Sequence, residues 1–362
     1  MNFTSDNAAG IAPAILEAIV AASAGTAAAY GADSFTQRAQ TALGEIFERP
    51  VAAFLVSTGT AANALALGAL TPPWSAVFCH DEAHIHDDEC GAPELFTGGA
   101  KLVGIAGEGG KIAPDALRET LSRFPRGLVK SVQPGALSLS QATEAGTIYN
   151  LDEIKTLSAI AHGAGLAVHM DGARFANALV ELGCSPAQMS WRAGVDALSF
   201  GATKNGAMGC EAVVFFNAEQ AANFAFQRKR GGHTLSKGRF LGAQMAAYLD
   251  KGLWLTLARR ANEAADRLAR GLLQIPGLRL AWPRSANEIF AIAPRSIVAA
   301  LRAEGAQFYE WSSRAVAPAL AARESEAFLR LVCSFDTQEA EIDRFLAVAR
   351  DHLAAAPAVS GS

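Results

Sequence analysis

The sequence predicts an α/β protein: a large domain built on a mostly parallel seven-stranded sheet, followed by a small C-terminal α+β domain. Three observations carry this prediction. Apolar strand-like runs alternate with helical runs over the first two thirds of the chain. Those runs are continuously apolar rather than alternating, as strands covered by helices on both faces must be. Polar residues with chemical capability gather where such strands end, the place where open α/β sheets hold ligands.

The elements follow in order. Val51 to Val56 reads as a strand, and Thr60 to Leu67 as the helix after it. Further strands are expected at Ala76–Cys79, Leu102–Ile105, within Val129–Leu139, at Leu166–Met170, Val195–Phe200 and Ala212–Phe216. A long helical stretch rich in Ala, Arg and Glu begins near Leu241 and runs past Arg270, linking the two domains. Beyond it, Gly277–Leu280, Glu288–Ile292 and Phe328–Cys333 read as strands. The expected division is an N-terminal segment 1–15, a large domain 16–245 and a small domain 246–362. Ala354 to Ser362, mostly Ala, Pro, Ser and Gly, is expected to fray.

Composition narrows the function. At 362 residues with 51% hydrophobic and 18% charged side chains, the chain is an ordinary globular protein with a sizeable core. A net charge of −4, with no basic cluster beyond Arg228-Lys229-Arg230, gives no sign of a nucleic-acid partner. No apolar run reaches the ~20 residues that span a bilayer. Met1 to Asn7 has neither the charged nor the apolar region of a signal peptide. Five cysteines without a CxxC pair read as reduced thiols, with a cytoplasmic location and no zinc site.

The chemistry starts with Asp171, at the end of the strand Leu166–Met170, and Lys204, just past the next strand. An acid and a lysine so placed are what pyridoxal phosphate requires. The carboxylate keeps the pyridine nitrogen protonated, and the lysine carries the cofactor as a Schiff base until an amino-acid substrate takes its place. Lys204 lies among Ser, Gly, Ala, Thr and Asn with no adjacent acid, whereas most other lysines stand in charged surroundings. Ser57-Thr58-Gly59-Thr60 joins a strand to a helix, with Gly59 allowing a tight turn. Its hydroxyls and the first helix amides form a phosphate seat. Small residues before a helix are more often simple capping, so this segment gains its meaning from Asp171 and Lys204. Ser199 and Thr203 offer further hydroxyl contacts to the phosphate or its neighbours.

Arg174, three residues after Asp171, is placed to reach the ring hydroxyl or a substrate carboxylate. His169 shares a strand face with Asp171, either bonding it or serving as a satisfied core histidine. In Ala83-His84-Ile85-His86-Asp87-Asp88-Glu89, an imidazole can stack on the pyridine ring and transfer protons near neutrality. His84 is the choice for stacking and a candidate base, His86 or a water the alternative base. Glu89 orients a histidine or packs locally. The same run could suggest a divalent metal, but no metal is assigned.

Taken together, FTSDNAAG near the start, YGAD at Tyr30–Asp33, STGTAAN, AHIHDDE, HMDGARFANA and SFGATKNGA resemble the L-threonine aldolases, closest to the low-specificity and phenylserine aldolase branch. The resemblance runs from about Asn2 to past Arg330; single motifs are shared with related lyases, but the combination is specific. It implies fold type I of the pyridoxal phosphate enzymes, usually as a homotetramer of dimers whose active sites are shared. It further implies Lys204 as the Schiff-base lysine, Asp171 as the pyridinium partner, His84 as the stacked histidine, and Gly59 and Thr60 at the phosphate. Ser5, Arg174 and Arg330 would hold the substrate carboxylate, a task suited to arginine's planar fork. Tyr30, and Arg228 or Lys229, would reach the neighbouring subunit's site. The chain departs from the better-known branch at Ser140-Gln141-Ala142-Thr143-Glu144, where many relatives carry an ENTHN-like segment with a second histidine. Gln141 or Thr143 is the expected replacement for its hydrogen bond to the substrate hydroxyl.

The reading is a retro-aldol lyase for β-hydroxy-α-amino acids, releasing glycine and an aldehyde. The rivals are a β-eliminating lyase or an aminotransferase on the same fold, and a catalytically silent binding protein. The last would be marked by a lost lysine or aspartate, and both are kept. The loop after Cys79 and the surroundings of Trp311 or Tyr309 would shape the pocket for the β-substituent.

Overall fold

Seven short segments pair into one sheet: β1 (Ala52–Val56), β2 (Ser75–His80), β3 (Lys101–Ile105), β4 (Gln133–Ser140), β5 (Ala167–Gly172), β6 (Ala197–Gly201) and β7 (Glu211–Phe215). Their order is β1-β7-β6-β5-β4-β2-β3 in the computed structural model, which describes residues 1–355 apart from 313, 315, 318 and 319. The pairs from β3 through β6 are parallel, and β7 runs antiparallel to both β6 and β1. Two reversals restore the direction, so β1 ends at the same edge as β2, β4, β5 and β6. That edge collects Ser57, His80, Ser140, Asp171 and Gly201. Ser140 is paired with Asp171, and Asp171 with Ser199.

The helix Gly59–Leu70 follows β1 and has seven successive buried residues, Ala61 to Leu67. Its mostly small side chains let it lie close against the sheet, with its N-terminus at the functional edge. Arg239–Leu249 and Leu253–Leu273 replace the single long helix the sequence suggested. Between them Lys251 (φ 49°) and Gly252 (φ 71°) are left-handed, and two such residues stop an α-helix from continuing. The second helix joins two cores. Trp254, Leu257 and Ala258 pack with the large sheet, whereas Ala265, Leu268 and Leu272 pack in a second core.

That second core lies on an antiparallel sheet of β8 (Arg279–Leu280), β9 (Glu288–Pro294), β10 (Tyr309–Glu310) and β11 (Glu326–Val332), ordered β10-β11-β9-β8. The three strands expected here are present; β10 and the helices Arg295–Ala303 and Glu339–Ala355 are additional. Phe3 is buried in the second core, edge-on to Phe345 at 5.2 Å, while Ala12 and Ile15 pack in the first. The expected fraying falls mainly on residues 356–362, outside the described residues. All five cysteines are unpaired. Among the described residues no helix is long and apolar enough to cross a membrane.

Candidate active site

A cavity of about 330 Å³ opens at the common edge of the strands, lined by Ser57 to Thr60, Asn63, His84, Glu89, Asp171, Thr203 and Lys204 among others. Asp171 is the last side chain of β5 and is buried. Its Oδ1 accepts from the Ala173 amide at 2.9 Å and its Oδ2 from Asn63 Nδ2 at 2.8 Å. Burial works against its charge, but His84, Lys204 and the Ala173 amide outweigh it and hold the carboxyl below its ordinary range. Asp171 is therefore ionised at neutral pH, as a partner for a protonated ring nitrogen must be.

Lys204 sits in the short turn Thr203–Asn205 directly after β6. Asn205 anchors the turn by donating to Tyr248 Oη and to the Trp254 carbonyl, both at 2.8 Å. Gly201 is required there, since a Cβ would come within 2.5 Å of the Ala173 carbonyl oxygen. The ends of β5 and β6 thus approach closely, and Asp171 and Lys204 face one space. The Thr203 hydroxyl is already engaged: it accepts from the Cys210 amide at 3.1 Å and bonds the Glu211 carboxyl.

At the helix N-terminus, Thr58 Oγ1 caps the Ala61 amide at 3.1 Å, and the first intrahelical bond goes from Ala62 to the Thr58 carbonyl. The amides of Gly59 and Thr60 are thereby left to the cavity. Gly59 does not adopt a left-handed conformation, contrary to the tight-turn reasoning. A Cβ there would meet no protein atom within 4 Å, so what glycine preserves is open space for a ligand. Ser57 Oγ bonds His233 Nδ1 at 3.0 Å.

His84 Nδ1 bonds Glu89 Oε1 at 2.8 Å, and Asn63 donates to that same oxygen at 2.9 Å. The Glu89 bond, helped by Asp171's charge and opposed by burial, raises the histidine's pKa. Glu89 is thus the residue that orients the imidazole. Ligand atoms of His84, Glu89 and Asp171 lie within 4.8 Å of one another, but Asn63 and His84 already cross-link them with hydrogen bonds. His169 is a satisfied core histidine: it bonds Ser138 at 2.9 Å and Ser199 at 3.0 Å, and burial lowers its pKa to about 4.

A second cavity adjoins the first and shares Asn7, His84, Glu144, Arg174 and Lys204 with it, adding Ser5, Asp87, Trp311, Arg314 and Arg330. Arg174 is held there with its Nε at 2.8 Å and Nη2 at 3.0 Å from the two Asp6 oxygens, and its Nη1 at 3.2 Å from Glu288. Arg330 Nε lies 2.9 Å from Glu288 Oε1, and its guanidinium covers the Trp311 ring at 4.9 Å. Ser5 Oγ caps the turn Asp6–Ala8 by accepting from the Asn7 amide at 3.1 Å.

His86 bonds Asp87 at 3.0 Å and does not line either of these two cavities. Gln141 is fully buried, bonding both the amide and the carbonyl of Tyr149, and Thr143 bonds Thr147; neither lines either cavity. The segment instead presents Ser140 and Glu144. Tyr30 is 55% exposed, under Lys229 at 4.9 Å, and away from both cavities of its own chain. Asn7, Asn63, Glu144, Asp6 and Glu288 were not singled out from the sequence. Asn63 carried a signal, since it lies one turn after Gly59 and faces the same edge.

The residues fit pyridoxal phosphate on grounds internal to the structure. Unspent amides and open space stand at the helix N-terminus, an ionised acid faces a lysine, and the buried oxygens Asn63 Oδ1 and Glu89 Oε2 have no hydrogen-bond partner among the described residues. Comparison with known proteins agrees. The sequence model of the beta-eliminating lyase family matches residues 2–293. A low specificity L-threonine aldolase of Pseudomonas aeruginosa is 41% identical over 96% of each chain, and one from another Pseudomonas strain is 40% identical over 94% of each. A solved threonine aldolase of Leishmania major superposes with a TM-score of 0.89 at 30% identity, covering 97% of this chain and 98% of its own. Since the likeness spans nearly the whole of both chains rather than one shared motif, this chain belongs to the threonine aldolases, pyridoxal phosphate-dependent lyases within the beta-eliminating lyase family.

Proposed function

We propose that this chain reversibly cleaves β-hydroxy-α-amino acids of the L-threonine, L-allo-threonine and L-phenylserine type to glycine and an aldehyde. The observation that carries the reading is the placement of Lys204, Asp171 and His84 on one cavity that opens into a second, arginine-containing one. Bound at Lys204, pyridoxal phosphate supplies an electron sink for the pair released when a bond at the substrate's α-carbon breaks. The protein's residues decide which bond that is. Asp171 would keep the ring nitrogen protonated, and His84, steadied by Glu89, would hold the ring. Gly59, Thr60, Ser57 and Thr58 hold the phosphate end.

Arg330 and Ser5 take the substrate carboxylate in the outer cavity. Arg174 shares this work, with Asp6 and Glu288 fixing its guanidinium. A carboxylate held there would fix the orientation of the substrate's α-carbon bonds, and orientation of this kind is worth roughly 7–11 kcal/mol. The same reading divides the chain at residues 15 and 245. It takes the protein as a cytoplasmic homotetramer or homodimer in which Tyr30, with Arg228 or Lys229, serves the neighbouring site.

The test is to incubate the cofactor-loaded protein with threonine and with phenylserine and to measure glycine and aldehyde. Equimolar release of both is expected. Ammonia and an oxo acid in their place would make the chain a β-eliminating lyase.

A further inference from the structure

Glu144 has no part in the cofactor seat or the carboxylate clamp, yet it lines both cavities. Its Oε1 accepts from the main-chain amide of His84 at 2.7 Å and from Ser140 Oγ at 2.7 Å, so two donors fix the carboxyl. The residue as a whole is half-buried, but Oε2 is shut off from solvent and has no hydrogen-bond partner among the described residues. A buried acceptor without a donor is rare in folded proteins and calls for a reason. A substrate hydroxyl provides one.

The electrostatics agree with the placement. Burial first, and the charge of Asp171 second, push the Glu144 pKa up to about 7, against the bonds from His84 and Ser140. A carboxyl so poised exists in both forms near neutral pH and can take a proton and give it back. His84 is less suited to accept one, because its Nδ1 is committed to Glu89 and that bond favours the charged imidazole.

We infer that Glu144 is the catalytic residue that removes the β-hydroxyl proton in cleavage and returns it to the aldehyde oxygen in the reverse direction. This rests on the aldolase reading above. The O–H bond breaks, its proton passes to the Glu144 carboxylate, and its electron pair becomes the second bond of the carbonyl. The Cα–Cβ bond breaks with its pair left at Cα, where pyridoxal phosphate, when held at Lys204, would supply the electron sink, and a proton added at Cα completes glycine.

Glu144→Gln keeps the shape and the oxygen that accepts from His84 and Ser140 but removes the basic carboxylate. Three readouts on the cofactor-loaded protein separate its roles: visible absorbance of the lysine-bound cofactor, exchange of the glycine α-proton with deuterated solvent, and cleavage of phenylserine. Glycine has no β-hydroxyl, so its exchange needs the cofactor machinery without this proton transfer. The expected result is unchanged absorbance, exchange within about 3-fold of wild type, and cleavage lower by about 100-fold or more. In Glu144→Ala, added formate is expected to restore part of the cleavage and leave exchange unaltered, which covers the case of a poorly folded glutamine variant. Retained cleavage in Glu144→Gln, or exchange and cleavage falling together without rescue, would overturn the assignment. A wild-type protein that exchanges glycine but releases no aldehyde would instead overturn the aldolase reading, and this role with it.

Discussion

The two halves of the active site are built on different principles. The inner half takes Asp171 from the end of β5 and Lys204, Ser57 and Thr60 from the segments directly following β6 and β1, so sheet register alone brings them to one edge. The outer half takes Asp6 from the N-terminal turn, Arg174 from the loop after β5, and Glu288 and Arg330 from the second sheet, 282 and 324 residues beyond Asp6. The inner half is held by sheet register and hydrogen bonds among neighbouring strand ends, several of them to the charged Asp171 and Glu89, the outer by buried ion pairs between distant segments. The lesson is that Asp171 and Lys204 are anchored on one rigid scaffold, whereas the geometry of Arg174 and Arg330 depends on how that scaffold meets the second sheet.

The sharpest way to break this contrast is Lys204→Ala. Loss of the visible absorbance of the lysine-bound cofactor and of turnover is expected, with the fold intact by circular dichroism. Normal turnover would remove the basis of the inner half.

Next in size is Glu288→Gln. Glu288 is fully buried and serves Arg174 and Arg330 together. Arg174 would keep Asp6 but Arg330 would lose its acid, and breaking a buried pair of this kind costs about 3–5 kcal/mol. The expectation is a clear drop in thermal stability and weaker substrate binding, while the absorbance of the bound cofactor keeps its position. A shifted spectrum would show the two halves to be less separable than the geometry says.

The smallest effect is expected from Trp311→Ala. Removing the ring under Arg330 forfeits a partly exposed cation–π contact of about 0.5–1 kcal/mol. KM should rise by about 2- to 5-fold with kcat unchanged, measured with threonine and phenylserine in parallel. A change in kcat alone would place Trp311 in the chemical step instead.

Legibility of the sequence follows the same division. β5 and β6 could be read as apolar runs, and Asp171 and Lys204 stood at their ends with no other candidates of that pattern. His84 was legible because few histidines follow a strand so closely, although its link to Glu89 was only one of two readings. Gln141 and Thr143 were misread because the chain turns sharply after β4. Which side chains of such a turn face inward depends on its backbone path, not on residue type. The helix break at Lys251-Gly252 was hidden by helical sequence on both sides of it.

The sequence by itself determined the sheet and the standing of Lys204 and Asp171 at one edge of it, because strand periodicity and chain order fix what stands at a sheet edge. Only the tertiary structure decided that Arg174 is locked by Asp6, that Glu288 joins two arginines, and that Glu144, at the junction of the cavities, keeps an oxygen with no partner among the described residues. Those are meetings between segments far apart along the chain. Burial and charge at such meetings are properties of the assembled fold and leave no local pattern in the residues that make them.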